Sequence, residues 1–136
     1  MLECIFCKII AKEIPTEFVY EDDRAVAFLD IHPTNPGHLL VVPKSHVADF
    51  LAVSVEDLAA CMKILQKIAR VLPQAYNTPD FNIMQNNGVG AGQIVPHLHW
   101  HLIPRYPADP LRIYPHEKNY DETVAEFRTK IKQILA

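Results

Sequence analysis

The segment Pro96-His97-Leu98-His99-Trp100-His101-Leu102-Ile103-Pro104 alternates imidazole and apolar side chains and holds three of the chain's seven histidines. A period of two has a physical use only in an extended strand, where residues two apart share a face at about 6.5 to 7 Å. His97, His99 and His101 then point one way, and Leu98, Trp100 and Leu102 the other. The apolar side docks on a core and the imidazoles line a site. A lone histidine is ordinarily a satisfied surface or core residue, but three in register need polar partners wherever they are half buried.

The surrounding chain supplies the rest of a sheet. Glu17 to Glu21 and Ala25 to Leu29 are short runs rich in β-branched and aromatic residues, split by Asp22-Asp23-Arg24, and predict a hairpin. His38-Leu39-Leu40-Val41-Val42, ending at Pro43, predicts a buried third strand, and Phe81 to Gln85 a fourth. Between them Leu58, Cys61, Met62, Leu65, Ile68, Ala69 and Leu72 recur at helical spacing. Ser54 with Asp57 resembles a capping box there, and Pro73 is expected to stop the helix. Val124, Phe127, Ile131, Ile134 and Leu135 mark a closing amphipathic helix. Strands before and after one long helix predict an α+β domain, an antiparallel sheet of about five strands with one long central helix and a C-terminal helix.

At 136 residues the chain is expected to be a single domain spanning 1–136. With 13 Lys+Arg against 16 Asp+Glu there is no broad basic surface for nucleic acid, so any phosphate must be held locally. No window approaches the roughly 18 apolar residues of a membrane span, and Met1-Leu2-Glu3-Cys4 does not open like a secretory signal. A cytoplasmic, membrane-free protein is expected. An odd count of three cysteines, Cys4, Cys7 and Cys61, argues against a disulfide framework. Cys61 falls on the helix's apolar stripe, where free cysteine behaves as a small hydrophobe.

Two chemistries suit the histidine row. One is a metal that activates water, held by His-x-His and a third histidine. The other is nucleophilic attack on phosphorus by neutral imidazole. The loop Asn86-Asn87-Gly88-Val89-Gly90-Ala91-Gly92-Gln93 favours phosphate, since backbone N–H groups and side-chain amides can embrace its oxygens without formal charge. It is not a P-loop: it lacks Gly-Lys-Ser/Thr and opens a strand rather than a helix. His32, His38 and His116 sit in Pro-containing or loop-like contexts, and Lys44 and Arg105 read as solvated charges; none enters the expected catalytic set.

The chain resembles the histidine triad (HIT) nucleotide-binding proteins. The likeness rests on His97 through Ile103, on Cys4 to Ile10, Glu13-Ile14-Pro15, Ala27 to Ile31, Pro36 to His46, and Gly92-Gln93. The resemblance implies that His99 attacks the α-phosphorus of a nucleotide and carries a nucleotidyl-histidine that water cleaves, while His101 contacts phosphate and leaving atom. It implies a base slot of Phe6, Ile9, Phe28 and Ile31, a ribose contact at Asp30, and phosphate contacts at Asn86, Gly92, Gln93 and Ile94. It also implies a homodimer, with a purine nucleoside phosphoramidate or a dinucleoside polyphosphate as substrate. Ile94 departs from the usual Ser or Thr, which opens the question of leaving-group preference; Trp100 is bulkier than usual but should face away from phosphate. A branch that transfers nucleotides to sugar phosphates carries Gln where this chain has His101, so hydrolysis is expected. A binding module with little turnover is the alternative.

Cys4-x-x-Cys7 has the spacing of a zinc knuckle, with His46 and His97 to complete a tetrahedral set. The resemblance supports Cys4, Cys7, His46 and His97 as ligands of a structural Zn2+ that leaves His99 and His101 free. A redox pair would have to open a helix after a strand, and no strand precedes residue 4.

Overall fold

The structure is a computed structural model that describes residues 3–110 and 123–136. A short helix α1 (Ile5–Ile10) precedes strands β1 (Phe18–Glu21), β2 (Ala25–Leu29) and β3 (Leu39–Pro43). Helices α2 (Val55–Ala69) and α3 (Leu72–Tyr76) follow, then β4 (Asp80–Gln85), β5 (Trp100–Arg105) and α4 (Thr123–Leu135). All strand pairs are antiparallel, in the order β1-β2-β3-β5-β4. The helical excursion lets β4 form the edge and β5 return between β3 and β4, so the histidine-bearing strand is central. The α+β expectation holds.

The two-residue period gives this sheet two different faces. Ala25, Ala27, Leu39, Val41, Leu98, Trp100 and Leu102 pack with Cys61, Ile64, Leu65 and Ile68 of α2. Val26, Phe28, Leu40 and Val42 pack with Cys4, Phe6 and Ile9 of the α1 region. Because β2 and β3 are covered on both sides, they read as unbroken apolar runs instead of alternating ones. The histidines lie on the α1 face, and His101 stands opposite Leu40 in the β3–β5 register.

Local expectations were met with two corrections. Ser54 caps α2, its side chain accepting from the Asp57 amide at 3.1 Å. The return half of a capping box is absent among the described bonds, since the Asp57 carboxylate takes Arg24 and Ser45 instead. Pro73 does not end this helix. The helix closes at Ala69, and Pro73 sits in the first turn of α3, where a missing N–H costs nothing. Ladder pairing of the histidine strand begins only at Trp100, so His97 and His99 lie on its approach. They keep the strand's alternation all the same, because the Leu98 amide is held by the Val47 carbonyl at 2.8 Å and Leu98 remains in the core.

Gly37, two residues before β3, has φ +87°, and a Cβ there would lie 2.8 Å from the Tyr76 ring. Gly37→Ala should therefore cost about 1 to 3 kcal/mol through strain and overlap. Urea unfolding at constant m-value is the check; an unchanged midpoint would contradict the packing described.

Candidate active site

Each imidazole of the row is committed at one nitrogen to a different acceptor or donor, and this assigns what the other nitrogen can do. A main-chain carbonyl can only accept, so the ring nitrogen that meets it carries the hydrogen. His99 Nδ1 lies 2.7 Å from the His97 carbonyl, which leaves the Nε2 lone pair bare. His97 Nε2 lies 2.8 Å from the Pro43 carbonyl, which leaves its Nδ1 lone pair. Burial holds His99 below its ordinary pKa of 6.5, more than the His97 carbonyl and Asp30 raise it, so its ring is neutral at pH 7. A neutral imidazole with a free lone pair is a nucleophile.

His101 is set by a residue outside the row. The Thr34 amide donates to His38 Nδ1 at 3.0 Å, so the His38 hydrogen is on Nε2. That atom is 2.9 Å from His101 Nδ1, which must accept and therefore carries its own hydrogen on Nε2. His101 thus presents an N–H donor beside the His99 lone pair, with ring centroids 5.0 Å apart. Burial, then His99 and His38, push the His101 pKa down to about 4, against a smaller opposing pull from Asp30. His38 was not expected here. It is buried at the mouth of β3, and its only sequence signal was its position in Pro36-Gly37-His38, which puts it opposite the triad strand.

The second set of side chains is the expected one. Among the described residues, Cys4, Cys7, His46 and His97 bring one ligand atom each to within 4.8 Å of one another. The Nδ1 atoms of His46 and His97 are 3.2 Å apart, Cys7 Sγ is 3.2 Å from His46 Nδ1 and 3.6 Å from His97 Nδ1, and Cys4 Sγ is 3.4 Å from His97 Nδ1. Zinc with about 2.3 Å bonds to sulfur and about 2.05 Å to nitrogen would set tetrahedral ligands roughly 3.3 Å (N···N) and 3.6 Å (N···S) apart, so the donor set fits. Asp30, His38 and His101 also converge within 4.8 Å. Their N···N distance of 2.9 Å is a hydrogen bond, and the hydrogen that Thr34 places on His38 Nε2 occupies the middle.

Of the implied substrate contacts, Phe6, Ile9 and Phe28 are gathered in one apolar group, with Phe6 edge-on to His99 at 5.1 Å. Ile31 stands apart, 82% exposed. Asp30 accepts from the His32 amide at 2.9 Å and turns its other oxygen to 3.6 Å from His38 Nε2. The phosphate-loop reading needs revision. The amides of Gly88, Ala91, Gly92 and Gln93 already donate inside the loop, and Gln93 Nε2 donates to the Ala48 and Val95 carbonyls. Gln93 is thus the brace of its loop. The Asn86 side chain lies 3.8 Å from where a Gly92 Cβ would be, and Ile94 is exposed. Trp100 and Cys61 are core residues as expected, with the Cys61 thiol pushed by burial up to about 12. Lys44 pairs with Glu21, and Arg105 donates to Asp109 and Asn82, so neither serves the site. His116 lies outside the described residues.

Comparison with known proteins agrees with this geometry. The model of the HIT domain matches residues 11–108. An uncharacterized HIT-like protein of Methanocaldococcus jannaschii is 49% identical over 106 residues, covering 78% of this chain and 81% of its own length. An adenosine 5'-monophosphoramidase of Schizosaccharomyces pombe is 40% identical, covering 76% and 75%. The crystal structure of a zinc-bound histidine triad family protein from Mycobacterium smegmatis superposes with a TM-score of 0.77 at 32% identity, covering 98% and 96%. The chain belongs to the HIT family.

The same geometry makes the fold acid-sensitive. The folded His38 and His101 have pKa values below the ordinary 6.5, mainly through burial, with His99 and Asp30 the other titratable groups facing His101. An unfolded chain takes up protons that the folded chain refuses as pH falls below 6.5, so their contribution is whole above that value and is lost below it, for His101 down to about pH 4. His101→Asn, whose carbonyl can still accept from His38, should show a shallower loss of urea midpoint between pH 6.5 and 4.5. A slope equal to that of the parent chain would contradict the assignment.

Proposed function

We propose that this histidine triad phosphohydrolase cleaves purine nucleoside phosphoramidates or dinucleoside polyphosphates through a nucleotide held covalently on His99. The observation that carries the reading is the 2.7 Å bond from His99 Nδ1 to the His97 carbonyl, which aims an unprotonated Nε2 into the site. In the first step Nε2 forms a bond to the α-phosphorus, and the leaving group departs with the electron pair of its own bond to phosphorus. The His101 Nε2–H hydrogen-bonds the leaving atom and keeps its hydrogen; a leaving amine takes its proton from water, and the hydroxide so formed is the nucleophile of the second step. Water's oxygen then bonds to phosphorus and the His99–phosphorus bond breaks, releasing the nucleoside monophosphate and the neutral ring.

In this reading the base enters beside Phe6, Ile9 and Phe28, with Ile31 at the mouth, and Asp30 takes the ribose. The Asn86 side chain and the Ile94 main chain meet the phosphate, while Gly92 and Gln93, whose polar groups are spent inside the loop, hold that loop in place. Cys4, Cys7, His46 and His97 would hold Zn2+ as a structural crosslink, and because four protein ligands would leave no position for water or substrate it would supply no Lewis-acid chemistry. A homodimer suits the edge strand β4, whose Phe81 and Ile83 are exposed beside Met62 of α2. No helix among the described residues is long and apolar enough to cross a membrane, in keeping with the proposed cytoplasmic place.

Mixing the chain with an adenosine phosphoramidate and quenching in alkali should trap adenylate on the His99 peptide, seen by mass spectrometry. His99→Ala should lose the adduct and at least about 10³-fold in turnover. No adduct, and release of the monophosphate no faster with the parent chain than with His99→Ala or with no protein, would refute the mechanism and leave a nucleotide-binding module.

A further inference from the structure

Two sites described separately above share covalent and packed parts. His97 turns its Nδ1 toward Cys4, Cys7 and His46, while its main-chain carbonyl holds the nucleophile's Nδ1 hydrogen at 2.7 Å. Phe6 lies between the two cysteines in the chain. Its ring meets His97 edge-on at 5.9 Å, His99 at 5.1 Å and Phe28 at 5.7 Å. The cysteines also govern the element that carries Phe6. Cys4 is the N-cap of α1, its sulfur accepting from the Cys7 amide at 3.4 Å, and α1 has only six residues. A helix that short has no stability of its own in water and keeps its place through what it is fastened to.

We infer that the Cys4-Cys7-His46-His97 site and the nucleotide site are thermodynamically coupled, with Phe6 and the His97 main chain as the link. A metal drawing four ligands together fixes α1 and seats Phe6 against His99. A purine lying on the Phe6 side of the pocket in turn seats α1 and brings the cysteines onto the two histidines. Each ligand removes an ordering cost that the other would otherwise meet, and linkage makes the effect equal in both directions. This rests on the proposed nucleotide and zinc reading, and it adds something that reading does not require: two independent sites would serve the hydrolysis equally well.

The test measures zinc and adenosine monophosphate binding on the whole chain, each with and without the other. Competition with a chromophoric chelator gives the zinc affinity, and calorimetry gives the nucleotide affinity. Saturating adenosine monophosphate should tighten zinc at least about fivefold, and zinc should tighten the nucleotide by the same factor. Phe6→Leu should bind zinc alone within about twofold of the parent while the coupling factor falls toward one. If both ligands bind and neither changes the other's affinity, the coupling is refuted while the functional reading stands. If Phe6→Leu keeps the full factor, the link through Phe6 is refuted. If zinc does not bind at all, the metal assignment falls and the coupling with it.

Discussion

The hydrogen bond from His99 to the main-chain carbonyl of His97 is the point on which the rest of the site depends. It joins residues two apart on one face of an extended segment, so the fold itself delivers it: the strand's period sets the spacing and the peptide group of His97 supplies the acceptor. A carbonyl cannot donate, so the tautomer of His99 does not depend on any side chain being in the right protonation state. The same logic runs through the neighbouring rings. Pro43 fixes His97, and Thr34 fixes His38, which fixes His101. Three chemically identical side chains present a bare Nδ1, a bare Nε2 and an Nε2–H because main-chain carbonyls reach two of them and His38 reaches the third, and the proposed roles of ligand, nucleophile and donor rest on that difference.

Burial does the remaining work. On the α1 face Phe6, backed by Phe28, packs edge-on against His97 and His99, and desolvation keeps His99 and His101 neutral near pH 7. On the opposite face Leu98, Trp100 and Leu102 anchor the same segment to α2. Chemistry and core are thus two sides of one strand, and neither could be moved without the other. The Cys4-x-x-Cys7 segment closes the arrangement by returning the N-terminus to His97.

Most of this could be read from residue patterns. The hairpin, the capped helix and the two-faced histidine segment follow from periods and caps that tertiary structure did not override, and the convergence of Cys4, Cys7, His46 and His97 followed from spacing plus resemblance. What escaped was set by contacts between distant residues. His38 looked like one more loop histidine, and only the pairing of β3 with β5 shows that it meets His101. The amides of Gly88, Ala91, Gly92 and Gln93 looked free because sequence cannot show that the Gln93 side chain and a turn at Val89–Ala91 consume them. Pro73 looked like a terminator because a proline that ends one helix and a proline that starts another are the same letter.

The central claim concerns where two hydrogens sit, and nitrogen NMR of the histidine side chains reads that directly. Long-range proton–nitrogen correlation spectra at pH 7 should show His99 neutral with its hydrogen on Nδ1, and His101 neutral with its hydrogen on Nε2. A cationic His99, or one whose hydrogen is on Nε2, would contradict the account, because no lone pair would then face the phosphorus.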